Sequence, residues 1–168
     1  MGVLTPLAVR IGALPWLPRF LRQITWCDRV LQRTTGGRVG LLDVAGLPNV
    51  LLTVRGRVSG RLRSTPLLCV RGGDRGAGGP RWLIAGSSFG SPSTPAWVHN
   101  LREASVAEIS KGAWSATVVP EELGSDERAR AWDELCGVWP NFEVYRRRTE
   151  RVIPVFRLVP ADSGRRDW

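Results

Sequence analysis

Residues that usually carry acid–base, nucleophilic or metal chemistry are scarce in this chain of 168 residues, which holds one histidine and three cysteines. His99, Cys27, Cys69 and Cys136 are spaced too widely for an ordinary zinc site. An odd number of scattered cysteines, with Cys69 in an apolar strand-like run and Cys136 on a helical stretch, reads as buried thiols in a reducing compartment. A Cys–His nucleophilic pair has no local support. Long apolar runs are missing too: no stretch of about 18 uninterrupted apolar residues exists, so no spanning helix is expected. Residues 1–18 are apolar but broken by Pro6, Arg10, Pro15 and Pro18, and they lack the basic start and clean apolar centre of a signal peptide. Pro6 stands where an N-myristoylation motif has Ser or Thr. Lysine is nearly absent: of 24 basic residues only Lys111 is one.

What is present is the composition of one globular domain, 43% hydrophobic and 23% charged, with a net charge of +9. Arginine grips planar carboxylates and phosphates in pairs, so the excess suits an anionic partner; a genome rich in G and C would produce the same excess. The arginines concentrate usefully in one place. The run Gly56-Arg57-Val58-Ser59-Gly60-Arg61-Leu62-Arg63-Ser64-Thr65-Pro66-Leu67 follows the apolar Val50–Val54 and leads into Leu67–Val70. Two strand-like runs around a Gly- and Arg-rich segment predict a hairpin with a long loop. Glycines that let backbone N–H groups approach, forked guanidinium donors and hydroxyls at Ser59, Ser64 and Thr65 make an anion cradle; the alternative is a basic hairpin tip in solvent. The terminal Gly-Lys-Ser/Thr of a P-loop is absent. Nucleic-acid binding lacks its usual aromatics interleaved on a basic strand face.

Residues 17–33 predict a helix entered through Pro18, with Leu17, Phe20, Leu21, Ile24, Cys27 and Leu31 on one face and Arg19, Arg22, Arg29 and Arg33 opposite. That pattern suits a helix lying in a membrane interface, or one packed on the domain. After the hairpin, Gly72–Pro80 reads as a turn. Strands are expected at 81–87, 106–110, 114–119 and 152–159, and a short helix at 95–103. A longer helix is capped by Ser125 and buries Ala129, Trp132, Leu135, Cys136 and Trp139, with Pro140 as its stop. A further short helix carries Phe142 and Tyr145. About six antiparallel strands with peripheral helices and no βαβ rhythm indicate an α+β, mainly β chain built as a small barrel.

The segments Leu51-Leu52-Thr53, Gly56-Arg57-x-Ser59-Gly60-x-x-Arg63-x-x-Pro66-Leu67, Ala85-Gly86-Ser87-x-x-Gly90, Pro95-x-Trp97-x-x-Asn100-Leu101 and Tyr145-x-x-x-Thr149-x-Arg151-x-Ile153-Pro154-Val155 resemble the deazaflavin (F420)-dependent nitroreductases and quinone reductases of actinobacteria. The resemblance implies a split β-barrel that binds coenzyme F420, whose phosphodiester and oligoglutamate tail is anionic. It implies residues 1–37 as an amphipathic arm, 38–160 as the deazaflavin-binding domain and 161–168 as a tail. Arg57, Val58, Ser59, Gly60, Arg61, Arg63, Ser64 and Pro66 are then expected along the cofactor's tail. Ala85, Gly86, Ser87, Ser88, Pro95, Ala96, Trp97 and Asn100 are expected around its ring. Val58 and Ser88 stand where many members carry basic residues, and Phe89 where glycine is common; tail binding is weakened unless Arg55 or Arg61 compensates.

The chemistry implied is hydride transfer from reduced F420 to a quinone, nitroaromatic or similar electron-poor acceptor, which needs positioning and exclusion of water rather than an acid–base triad. Ser87 is the expected hydroxyl orienting ring or acceptor, and Tyr145 the proton donor or positioner. No metal and no nucleic acid enter this reading. The alternative is a split barrel that holds F420, FMN or haem with little catalysis. The expected location is the cytoplasm, with peripheral contact on the inner face of the plasma membrane if residues 17–33 are interfacial. In that case the full chain sediments with anionic vesicles, and deletion of residues 1–33 abolishes this while turnover of a soluble nitroaromatic persists. A truncated protein that unfolds in a thermal melt, beside a full chain that ignores vesicles, would show that the helix packs on the domain instead.

Overall fold

The computed structural model describes residue 14 and residues 41–44, 46–73 and 80–161. The helix expected over 17–33, the turn residues 74–79 and the tail beyond residue 161 lie outside the described residues. Among the described residues no helix is long and apolar enough to cross a membrane.

Seven strands form one sheet: β1 (Asn49–Arg55), β2 (Leu62–Leu68), β3 (Val70–Gly73), β4 (Pro80–Ala85), β5 (Ala107–Lys111), β6 (Trp114–Glu122) and β7 (Val155–Pro160). Their spatial order is β2-β1-β5-β6-β7-β4-β3 and every pairing is antiparallel. The two edge strands, β2 and β3, are consecutive in sequence and separated only by Cys69. A sheet whose opposite edges are joined by one residue must curl on itself, and the result is a half-barrel with a split along β2. The expected strand Leu67–Val70 is therefore two strands broken at Cys69, whose N–H leaves the ladder and donates to Pro48 O at 3.0 Å.

Alternation along the strands gives each face of the sheet its own apolar layer. Val50, Leu52 and Val54 of β1, Trp82 and Ile84 of β4, Ile109, Val118, Phe156 and Leu158 fill the inside, and helix α1 (Ala96–Glu103) adds Trp97, Val98 and Leu101. Leu83, Ala85 and Val155 point to the other face, where α2 (Ser125–Val138) and α3 (Asn141–Arg147) cover them with Trp132, Leu135, Phe142 and Tyr145. Each such side chain, fully buried, contributes about 1.5–3 kcal/mol relative to exposure. Because the two layers share strands, displacement of one element is felt on both sides.

Several boundaries differ from expectation. Gly124, not Ser125, caps α2: its carbonyl accepts the first helical bond from Arg128 N at 2.7 Å and Ser125 already lies in the helix. The buried stripe of α2 runs through Ala131, Trp132 and Leu135, which leaves Ala129 exposed at 3.6 residues per turn. Gly72 and Gly73 belong to β3, and the last strand begins at Val155, after Pro154, which has no N–H to give to a ladder. Cys69 and Cys136 are free thiols. Burial pushes each up to about 11, and Glu143 adds to the effect at Cys136, so both are inert at neutral pH.

Gly86 marks the tightest joint between sheet and helix. Its N–H donates to Pro154 O at 2.9 Å, and a Cβ there would come within 2.7 Å of Val98 Cγ2 and 2.9 Å of Pro154 Cγ. Gly86→Ala is therefore expected to destabilise the fold by about 1–3 kcal/mol, read as a Tm lower by about 2–4 °C per kcal/mol. An unchanged Tm would mean that α1 and the β7 approach can move apart freely.

Candidate functional site

A cavity of about 310 Å³ opens in the split. One wall is the edge strand β2, through Thr65, Pro66, Leu67 and Leu68. Facing it are the end of β4 and the turn that follows, Ala85, Ser87, Ser88 and Phe89, together with Pro95 and Trp97 at the start of α1. Trp139, Phe142 and Tyr145, from the α2–α3 corner and α3, close the third side. Flat aromatic walls and few polar atoms describe a slot for a planar ring system. Phe89 and Phe142 both meet Tyr145 edge-on, at centroid distances of 5.5 and 6.2 Å, which fixes that ring from two sides.

Ser87 is the buried polar residue of the slot, 9% exposed, and its hydroxyl has no hydrogen-bond partner among the described residues. It introduces a short 3₁₀ turn, Ser88–Gly90, in which three successive residues have positive φ: 46° at Ser88, 54° at Phe89 and 82° at Gly90. Non-glycine residues in that region cost on the order of 1–3 kcal/mol each, and they persist only where surroundings hold them. Gly90 sits so close to α3 that a Cβ would meet Tyr145 O and Arg148 Cβ, each at 2.7 Å. Arg148 donates to Phe89 O at 3.4 Å, and Arg151 donates to the carbonyls of Gly86, Ser87 and Ser91 at 2.8–2.9 Å.

Tyr145 is 2% exposed. Its oxygen accepts from Trp139 Nε1 at 3.4 Å and also bonds the Asn141 side chain. Burial pushes the phenol up to about 12, against the smaller opposing effects of Trp139, Arg148 and Asn141. The group keeps its proton throughout the physiological range and can donate a hydrogen bond, but it is a weak acid.

The arginine segment is shorter than the sequence suggested. The chain leaves β1 at Gly56, turns and re-enters the ladder at Leu62, so Arg63, Ser64, Thr65 and Pro66 are strand residues. Gly56 N donates to Arg61 O at 2.8 Å and Gly60 N to Gly56 O at 2.7 Å, with Gly60 at φ 64°. Arg55 NH1 donates to Gly60 O at 2.7 Å, so this guanidinium braces the turn. Arg57, Arg61 and Arg63 are exposed, with no carboxylate partner among the described residues. Val58 is 86% exposed. Ser59 Oγ accepts a long contact from Arg61 N at 3.4 Å, and Ser64 Oγ shares a hydrogen bond with Thr53 at 2.8 Å.

Seven of the expected residues therefore meet in the slot: Pro66, Ala85, Ser87, Ser88, Pro95, Trp97 and Tyr145. The turn residues Arg57, Val58, Ser59, Gly60 and Arg61, with Arg63 and Ser64, lie outside it. Arg63 is on the same face of β2 as the wall residue Thr65, about 7 Å along the strand, so β2 is the track that leads from the slot to the free cations. Asn100 does not line the slot; its Oδ1 accepts from Arg57 N at 3.2 Å and ties the arginine turn to α1. Gly86 is occupied by packing, and Ala96 is exposed at the start of α1. Thr65, Leu67, Leu68 and Phe89 were not expected as walls. β2 contributes because it is an edge strand, and strand order is not written in local pattern. Arg148 and Arg151 were missed in their role because basic residues near a chain's last strand read as surface.

The sequence profile of the F420H(2)-dependent quinone reductase family matches residues 22–160. An F420H(2)-dependent quinone reductase of Mycobacterium tuberculosis is 31% identical over 148 residues, which cover 86% of this chain and 95% of that protein. Among solved structures, an F420-H2 dependent reductase superposes with a TM-score of 0.56 at 28% identity, covering 66% of this chain and 93% of the other. A structure described as a domain-swapped dimer gives a TM-score of 0.58 at 27% identity, covering 83% and 97%. On this likeness of sequence and fold, the chain belongs to the F420H(2)-dependent quinone reductase family, enzymes whose cofactor is reduced coenzyme F420.

Proposed function

We propose that this protein reduces quinones, and nitroaromatics of the same flat electron-poor shape, with reduced F420 held across the slot and the arginine turn. The observation that carries this reading is the pairing of an aromatic slot, into which the unpartnered Ser87 hydroxyl opens, with three unpaired guanidinium groups on the adjoining turn and the start of β2. A planar ring with an anionic tail matches both halves, and neither half alone would select it. When bound, the cofactor supplies a hydride to the acceptor, and the second proton of a hydroquinone comes from solvent.

The protein's own residues position and shield. Trp97, Trp139 and Phe142 exclude water and sandwich flat molecules. The Ser87 hydroxyl is free to orient a ring or acceptor oxygen. Tyr145, kept neutral by burial, donates a hydrogen bond to an acceptor oxygen that gains charge, and its high pKa favours this over full proton transfer. Arg57, Arg61 and Arg63 take the tail by charge-assisted bonds.

Three outcomes follow. In fluorescence titrations, F420 binds much more tightly than FMN and its affinity falls with salt. Arg57→Ala and Arg63→Ala each weaken F420 binding about tenfold or more, about 1.5–3 kcal/mol, at unchanged Tm; equal affinities in both variants would reduce the turn to a solvated hairpin tip. Tyr145→Phe binds F420 normally and turns over about tenfold more slowly. The wild-type pH–rate profile shows no limb from this phenol below about pH 10, because its ionisation is displaced upward from its ordinary 10 to about 12. A limb near neutrality that vanishes in Tyr145→Phe would contradict the neutral-donor role.

A further inference from the structure

Arg151 does not line the slot, yet it sets the shape of one wall. Its Nε donates to Ser91 O at 2.9 Å, and a single terminal nitrogen donates to both Gly86 O at 2.8 Å and Ser87 O at 2.9 Å. Those last two carbonyls belong to the peptide planes on either side of the Ser87 Cα. Holding both planes with one nitrogen fixes the φ and ψ of Ser87, and with them the direction in which its side chain leaves the backbone. No peptide bond here is cis, so the N–H of Ser87 and of Ser88 lie opposite the clamped carbonyls and face away from the guanidinium.

The same clamp spans the left-handed run. Gly86 and Ser87 precede Ser88, Phe89 and Gly90, and Ser91 follows them, so Arg151 bridges the run from end to end. Two of those residues carry side chains that resist positive φ, and such a conformation needs external restraint. Close seating of Gly90 on Tyr145 and Arg148 restrains it from the opposite side. Burial lowers the guanidinium's pKa from its usual value, which reflects the desolvation this placement demands. Its remaining nitrogen, NH1, is buried with no partner among the described residues, so hydration of the arginine has been given up for contact with these carbonyls.

We propose that Arg151 is a positioning residue of the reductase: by clamping both peptide planes of Ser87 and bridging the left-handed run, it places the Ser87 hydroxyl and the Phe89 ring in the slot. The role rests on the reading that the slot holds ring and acceptor together. Lysine cannot substitute, because one ammonium does not reach Ser91 on one side and Gly86 and Ser87 on the other as a planar fork does.

The test uses full-length protein with Arg151→Lys and Arg151→Gln. F420 affinity is measured by titration, and kcat and KM for a soluble naphthoquinone such as menadione are measured anaerobically with reduced F420. Rates are expressed per bound cofactor, so that unfolded molecules do not count. Both variants should bind F420 within about threefold of wild type and keep KM, while kcat per bound cofactor falls at least about tenfold, as misplacement by a fraction of an ångström to about 1 Å allows. Unchanged kcat per bound cofactor, or a loss confined to KM or cofactor affinity, would overturn the role. Should both variants fail to fold, Gly90→Ala displaces the same run from the α3 side and decides on the same kcat criterion. A wild-type protein that binds F420 but leaves its reduced form unoxidised by menadione defeats the functional reading itself, an outcome separate from any variant's behaviour.

Discussion

The sheet's two edges are halves of one segment, and the rest of the structure follows from that constraint. β2 and β3 run on from each other through Cys69 yet lie at opposite ends of the strand order. The sheet has to curl to bring them together, but β2 does not pair with β3 or β4, and a gap remains beside it. Helix α1 fills the inner face and α2 and α3 cover the outer face, so in the gap strand edge, turn and helical aromatics face a common space. The slot is the split itself, not a feature added to the barrel.

Polar chemistry is placed sparingly around this apolar opening. Cations sit outside, on a turn braced by Arg55 from β1 and by Asn100 from α1. Acidic residues are occupied elsewhere: Glu122 with Arg102, Glu121 and Glu127 with Arg157, Glu134 with Arg81. Strong hydrogen bonding to Arg102 holds Glu122 below its usual carboxylate range despite some burial. The guanidinium groups of Arg57, Arg61 and Arg63 thus have no carboxylate partner among the described residues, while the slot's polar side chains are the neutral hydroxyls of Thr65, Ser87 and Ser88 and a phenol that stays protonated at neutral pH. An enzyme whose cofactor brings the reactive hydride can be built this way, with one histidine that takes no part in the site.

Much of this was legible in the residues. Alternation in Val50, Leu52 and Val54, the helical stripe through Trp132 and Leu135, and Pro95 ahead of α1 each encode their element locally. The resemblance carried by the motifs around Ser87 and Tyr145 pointed to two residues that line the slot. What escaped was non-local. The break at Cys69 depends on strand pairing across the sheet, so the arginine segment read as a long loop when half of it is β2. Asn100 was expected at the ring, and local pattern gave no sign of the hydrogen bond its Oδ1 accepts from a turn 43 residues earlier. Arg151 stood in one of the motifs that carry the resemblance but had no role assigned, because its three carbonyl partners lie 60–65 residues away.

The central claim is spatial: ring in the split, tail along β2 toward the arginine turn. A crystal structure of the complex with F420 tests it most directly. The account predicts ring density between the Ser87–Phe89 turn and Thr65–Leu68, with Trp97 beside it and the phosphodiester within hydrogen-bond reach of Arg57 or Arg63. Ring density outside the split, or a tail directed away from the turn, would contradict it.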